Sequence, residues 1–118
     1  MTLPVIVPST RYFIDFDHTI SRVDVWDTLV KCSDPERWRE IIDGYVSGRL
    51  SSRLCNLELA RAVRLNRDEA LKIIAAIGID PTFHDFVSWA QNRNFPLMIL
   101  SDGYDFYIEY LLKQEGLE

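Results

Sequence analysis

Tyr12-Phe13-Ile14-Asp15-Phe16-Asp17-His18-Thr19 runs from an apolar, aromatic stretch straight into two carboxylates and a hydroxyl. Arg11 to Phe16 has the near-continuous apolarity of a parallel strand covered on both faces. Carboxylates at the end of such a strand are costly to desolvate and are tolerated there beside a cation or a phosphate. Asp-x-Asp-x-Thr in that place predicts a nucleophile, Asp15, paired with an acid/base, Asp17. The competing reading makes them turn residues, with Thr19 as a helix cap. Asp15 lies inside the apolar run, and a second strand ends on polar residues too, so the turn reading is the weaker one.

That second strand is Pro96-Leu97-Met98-Ile99-Leu100, followed by Ser101-Asp102-Gly103. Open parallel sheets build their sites at the carboxyl ends of strands, and both motifs fall at such ends. If the two strands are neighbours, the motifs converge on one crevice. Ser101 and the backbone amides of Asp102 and Gly103 are then suited to phosphate oxygens, with the Thr19 hydroxyl beside them. A carboxylate attacking a phosphoryl group needs a divalent cation to offset anion–anion repulsion, and Mg²⁺ favours carboxylate, carbonyl and water oxygens.

Between the strands the chain reads as helical. Asp24 to Val30 carries apolar residues at helical spacing, and Ser33-Asp34-Pro35-Glu36 is a helix start with Pro in the first turn. Trp38, Ile41, Ile42 and Tyr45 share a face. Ser51 or Ser52 caps a helix running to about Leu65, and Asn66-Arg67-Asp68-Glu69 opens another that Gly78 stops. Further helices are expected from Phe83 to Asn92 and from about Tyr104 to Gln114. The fold class is therefore α/β: an incomplete Rossmann-like parallel core, residues 1–21 and 81–118, with an all-helical cap inserted at 22–80. The inserted helices exceed what a strand crossover needs.

Composition narrows the partners. Hydrophobic residues make up 47% and charged residues 26% of the 118, which fits a globular domain and argues against disorder. Net charge is −5 and no Lys/Arg stripe exists, so nucleic acid is not an expected partner. Met1 to Pro8 is mildly apolar, but it is too short and too proline-broken for a signal peptide or membrane span. Cys32 and Cys55 have no CxxC and no neighbouring His pair, and read as reduced thiols. A cytoplasmic protein without membrane contact is expected.

Phe13-Ile14-Asp15-Phe16-Asp17-His18-Thr19-Ile20 resembles the first motif of the haloacid dehalogenase-like phosphatases, and Ile99-Leu100-Ser101-Asp102-Gly103 their second. The inserted helices are similar to the cap of the subclass that contains phosphoserine phosphatase. The resemblance implies a Mg²⁺-dependent phosphomonoester hydrolase acting on a small phosphorylated metabolite through an aspartyl-phosphate. It makes Asp15 the nucleophile and Asp17 the acid/base, with Mg²⁺ held by the Asp15 side chain and the Asp17 backbone carbonyl. Ser101 grips the phosphate. His18 takes a place often held by Gly or Ser, where the residue supplies backbone. Asp24 falls where the phosphoserine enzymes carry a cap glutamate, whereas their cap arginine falls at Leu57, with Arg49 and Arg53 nearby. Asp24 together with Ser101-Asp102-Gly103-Tyr104-Asp105-Phe106-Tyr107 looks more like the enol-phosphate phosphatases of methionine salvage.

The family's later lysine and acidic pair have no counterpart after Gly103: Lys113 falls late in the last helix, and Lys31 and Lys72 lie in the cap. Asp105 reads as a first-turn helix acid, and His84 as a surface or capping residue. The 118 residues are thus expected to be inactive or incomplete alone, completed by the remainder of a longer protein or by a partner, as in a homodimer. The alternative function is a non-catalytic, truncated relative that binds a phosphometabolite or a protein partner. A receiver domain is disfavoured, because receivers alternate strands and helices regularly and carry their acceptor aspartate well down the chain.

Overall fold

The structure is a computed structural model that describes residues 10–118; the Met1–Pro8 stretch lies outside the described residues. Two short strands, β1 (Tyr12–Ile14) and β2 (Leu97–Ile99), pair in parallel with Tyr12 opposite Leu97, Phe13 opposite Met98 and Ile14 opposite Ile99. Both are shorter than the apolar runs that announce them. The Phe16 carbonyl accepts from the amides of Thr19, Ile20 and Ser21, so the chain has already turned out of the ladder at that residue.

Four helices separate β1 from the last crossover: α1 (Val25–Ser33), α2 (Pro35–Val46), α3 (Ser52–Ala62) and α4 (Arg67–Ile77). α5 (Thr82–Asn92) then leads into β2, and α6 (Asp105–Gln114) follows it. Each start in the helical region is a side chain satisfying an orphan amide. Asp24, Asp34, Ser51 and Asn66 accept from Asp27, Arg37, Leu54 and Glu69, and Glu69 returns a bond to Asn66 to close a capping box. Helix α3 stops at Ala62 rather than near Leu65, because Val63 adopts extended backbone. Gly78 ends α4 with a φ of 62°, a conformation open to glycine at little cost.

Two apolar clusters hold these elements. One joins Phe16, Ile20, Val25, Leu29, Ala70, Ile74, Ile79, Tyr107 and Leu111, so the strand end, α1, α4 and α6 share a core. The other joins Val30, Ile41, Cys55, Leu59 and Ala62 from α1, α2 and α3. Trp26 packs against both. Helix α4 thereby packs with α6 and the strand end, whereas α2 and α3 pack with α1 in the second cluster.

One face of the sheet is covered and the other is open. Tyr12 meets Phe86 and Trp89 of α5 edge-on, with ring centroids 5.5 and 5.8 Å apart. Phe13 and Met98, paired in register on the opposite face, remain 58% and 48% exposed. No described helix is long and apolar enough to cross a membrane. Cys32 is exposed, Cys55 is buried, and both are free thiols.

Burial places the stability of the fold in the first cluster. Truncating fully buried Ile74 to Ala should cost about 2–5 kcal/mol in urea unfolding. Phe13→Ser on the open sheet face should cost less than about 0.5 kcal/mol in the same measurement.

Candidate active site

The carboxyl ends of β1 and β2 lie side by side, because the Leu100 amide donates to the Ile14 carbonyl at 2.9 Å and continues the ladder to Asp15 and Ser101. Asp15, the first residue past β1, is exposed, and its carboxylate accepts no hydrogen bond among the described residues. Phe16 is completely buried and anchors the turn. His18 then sits at φ 63°, in the left-handed region where a β-carbon is normally disfavoured. The position is thus one where glycine would be at ease, and the His18 side chain is exposed. Thr19 follows, exposed, with its amide tied to the Phe16 carbonyl.

Asp17 is held differently from Asp15. Its Oδ1 accepts from the Val25 amide at 2.8 Å, and its Oδ2 accepts from the Tyr107 hydroxyl at 2.7 Å. Burial raises the Asp17 pKa from its ordinary value; the two hydrogen bonds oppose the rise, and neighbouring Asp24 and Asp102 add to it. Tyr107 is itself pushed up by burial and by the Asp17 carboxylate, so its hydroxyl keeps its proton and acts as the donor.

At the end of β2, Ser101 Oγ accepts from the Gly103 amide at 3.0 Å and folds the Ser101–Gly103 turn back on itself. Gly103 must lack a side chain for want of space. A β-carbon there would collide with the Tyr107 hydroxyl, sit 2.9 Å from Tyr107 Cζ and 2.8 Å from Asp17 Oδ2. Asp102 is exposed. Asp105 stands in the first turn of α6, where its Oδ1 accepts from the Phe106 amide.

A cavity of about 80 Å³ opens between this turn and helices α1 and α3. Asp17, Asp24, Asp27, Asp102, Asn56 and Gly103 supply its polar lining, and Trp26, Leu59, Tyr104 and Tyr107 its apolar lining. Trp26 of α1 packs on Tyr104 with ring centroids 4.5 Å apart, which closes the helical region down onto the second motif. Asp24 lines the cavity and also caps α1, its Oδ1 accepting from the Asp27 amide at 2.8 Å. Arg53 lines an adjoining shallow groove with Asn56, Leu57 and Tyr104. Arg49 stands exposed on the 47–50 turn and lines neither. Asp15, Thr19 and Ser101 lie outside the cavity wall as well.

Asp17, Asp24, Asp102 and Gly103 therefore meet in one cavity, with Arg53 at its edge. Tyr107, Asn56, Asp27, Trp26 and Tyr104 line the same cavity. None of them has a role in the site by sequence reasoning, although Tyr104 and Tyr107 stand in the Ser101–Tyr107 run that carries the resemblance. Tyr107 had one legible sign: a tyrosine one turn into an apolar helix face needs a partner for its hydroxyl once buried. Lys113 lies in the last turn of α6, far from the helix start, and Lys31 is held over the Trp38 ring. His84 is partly exposed and pairs with Glu115 at 2.8 Å. Among the described residues, no three His, Cys, Asp or Glu side chains converge as a metal cluster.

Two outcomes follow from this packing. Gly103→Ala should destabilise the fold by about 1–3 kcal/mol in chemical denaturation, because the added β-carbon would overlap the hydroxyl of buried Tyr107 and crowd Asp17 Oδ2, forcing one of them to shift. Because burial raises the Asp17 pKa, ionising it costs the folded state stability relative to a neutral side chain. That stability is complete below the unfolded carboxylate pKa and is lost as pH rises through the raised folded value. The melting temperature of Asp17→Asn minus that of the parent should therefore be more positive at about pH 7 than at about pH 3, measured with a chelator present.

Comparison with known proteins identifies the family. A bifunctional enzyme MtnB/MtnX of Bacillus licheniformis is 31% identical over 104 residues, covering 84% of this chain and 24% of its own. A 2-hydroxy-3-keto-5-methylthiopentenyl-1-phosphate phosphatase of Brevibacillus brevis is 29% identical over 102 residues, covering 85% and 46%. A solved phosphoserine phosphohydrolase-like protein from Francisella tularensis shares the fold, with a TM-score of 0.69 at 14% identity over 92% of this chain and 55% of that one. The chain thus spans about half or less of the length of the proteins it matches. The family model for haloacid dehalogenase-like hydrolases matches residues 12–118, from the start of β1 through α6, and the chain belongs to that family.

Proposed function

We propose that this chain carries the nucleophile half of a phosphomonoesterase centre that hydrolyses a small phosphorylated metabolite through an aspartyl-phosphate. The observation that carries the proposal is the contrast between two carboxylates two residues apart. Asp15 is exposed at the strand end with no hydrogen bond to its carboxylate among the described residues, whereas Asp17 is partly buried, doubly hydrogen-bonded and raised in pKa. A nucleophile must reach phosphorus, and a general acid must be protonated when the leaving group departs.

In this reading an Asp15 carboxylate oxygen attacks phosphorus, and the bond from phosphorus to the ester oxygen breaks. The Asp17 carboxyl gives that oxygen its proton. Asp17, now a carboxylate, takes a proton from water as the water oxygen attacks the same phosphorus. The bond to Asp15 breaks and inorganic phosphate leaves. Ser101, whose oxygen accepts from Gly103, keeps its own hydroxyl proton free to donate to a phosphoryl oxygen, and Thr19 offers a second hydroxyl. The Asp102 and Gly103 backbone belongs to the same phosphate-facing turn.

The donor set suits Mg²⁺, which takes hard oxygen ligands and binds through one or two carboxylates while keeping several waters. The Asp15 carboxylate and the Asp17 backbone carbonyl would hold it. When bound, the cation offsets the repulsion between the Asp15 carboxylate and the phosphoryl oxygens.

Residues 22–80 serve as the cap in this proposal and set the substrate. Asp24 and Arg53 face the approach beside Asn56 and Tyr104, with Leu57 in the groove where an arginine would favour a carboxylated substrate. That lining, and the activity for which the Brevibacillus relative is named, support an uncharged leaving group of the enol-phosphate type over phosphoserine.

The test is turnover of para-nitrophenyl phosphate by the full-length protein, with Mg²⁺ and with chelator. Activity should require Mg²⁺, and Asp15→Asn should lower kcat by about 10³-fold or more. Phosphometabolite binding without turnover, unchanged in Asp15→Asn, would replace this reading with that of a non-catalytic binding protein.

A further inference from the structure

We propose that Tyr107 is the positioning residue for Asp17, and that residue 103 is a glycine because the Tyr107 hydroxyl occupies the space of a side chain there. This deepens the phosphatase reading and rests on it.

The two oxygens of Asp17 are held from opposite sides of the crevice. Oδ1 takes the amide of Val25, the first residue of α1, and Oδ2 takes the hydroxyl of Tyr107 on α6, ninety residues away in sequence. Two donors on separate elements set the plane of a carboxylate, whereas one leaves it free to rotate about its side-chain bonds. Tyr107 is rigid enough for the task. It is completely buried, and its ring packs against Phe16 at 6.0 Å and Tyr104 at 6.5 Å between centroids.

The space around the hydroxyl points the same way. Gly103 belongs to the phosphate-facing turn, yet the atoms that a β-carbon would meet are the Tyr107 hydroxyl, Tyr107 Cζ and Asp17 Oδ2. The glycine therefore accommodates the hydroxyl–carboxylate pair. A single contact ties the second motif, the last helix and the acid/base of the first motif together. Among the described residues Asp15 has no such tether, as befits a nucleophile that must move toward phosphorus.

Proper aim matters most when the leaving oxygen needs a proton. Alkyl phosphates have poor leaving groups and depend on the general acid; para-nitrophenolate leaves with little help. In the full-length protein with Mg²⁺, Tyr107→Phe should lower kcat on β-glycerophosphate roughly 10- to 100-fold while changing kcat on para-nitrophenyl phosphate by no more than about 3-fold. KM should change little on either substrate. Leu111→Ala, which disturbs the same core without touching Asp17, should affect both substrates alike. A crystal structure of Tyr107→Phe should show the Asp17 carboxylate rotated while its bond to the Val25 amide persists.

Equal losses on the two substrates, or an unmoved Asp17, would overturn the proposal and reduce Tyr107 to a core residue. If the parent hydrolyses neither ester, the phosphatase reading fails instead, and the crystal structure of Tyr107→Phe alone decides whether the hydroxyl aims Asp17.

Discussion

The carboxylate of Asp17, clamped between the Val25 amide and the Tyr107 hydroxyl, is the interaction on which the rest of the arrangement depends. It joins the turn after β1 to α1 and to α6. The partly buried charge is tolerable because both oxygens are satisfied, and burial still raises its pKa. Around it the fold places its most deeply buried side chains: Phe16, Ile20, Val25 and Tyr107 are all at 1% exposure or below. The apolar cluster and the polar clamp support each other. The packed ring of Tyr107 delivers a hydroxyl, and the hydroxyl gives the buried tyrosine the partner it requires.

The same clamp puts two chemically identical side chains into two environments. Asp15 and Asp17 differ in the sequence only by two positions, and a strand's alternation sends neighbouring odd positions to one side. Had β1 continued, both would face alike. It ends at Ile14, and the Phe16 carbonyl gathers three amides into a tight turn. Asp17 is thereby carried inward to α1 and α6 while Asp15 stays at the open strand end.

Much of the architecture was legible along the chain because it is local. Asp34-Pro35 and the Asn66–Glu69 box mark helix starts where the sequence predicts them. Ser51 proves to be the cap of the Ser51–Ser52 pair, and Asp24 caps α1 at the head of its apolar-spaced stretch. Each acts through a bond spanning three residues. The two strands were legible as apolar runs, although their length was overstated. Apolarity reports burial, and Phe16 is buried by the core beneath the turn rather than by a strand partner. The packing of α4 on α6 was hidden, since helical periodicity says that a face is covered but not by which helix. Asn56, Asp27 and Tyr104 were hidden for the same reason: each looks like an ordinary helix or turn residue until α1 and α3 meet the Ser101–Gly103 turn.

The sequence by itself determined the element order, the helix caps and the family motifs at two strand ends, because each is written in residues close together along the chain. Only the tertiary structure decided that Asp17, Gly103 and Tyr107 meet at one point. It also decided that Asp24 lines the cavity while capping its own helix, and that Arg49 stands apart while Arg53 reaches the edge. The physical reason is range. A cap or a strand end is fixed by bonds spanning a few residues, whereas a donor ninety residues away reaches a carboxylate only after the core has packed both into place.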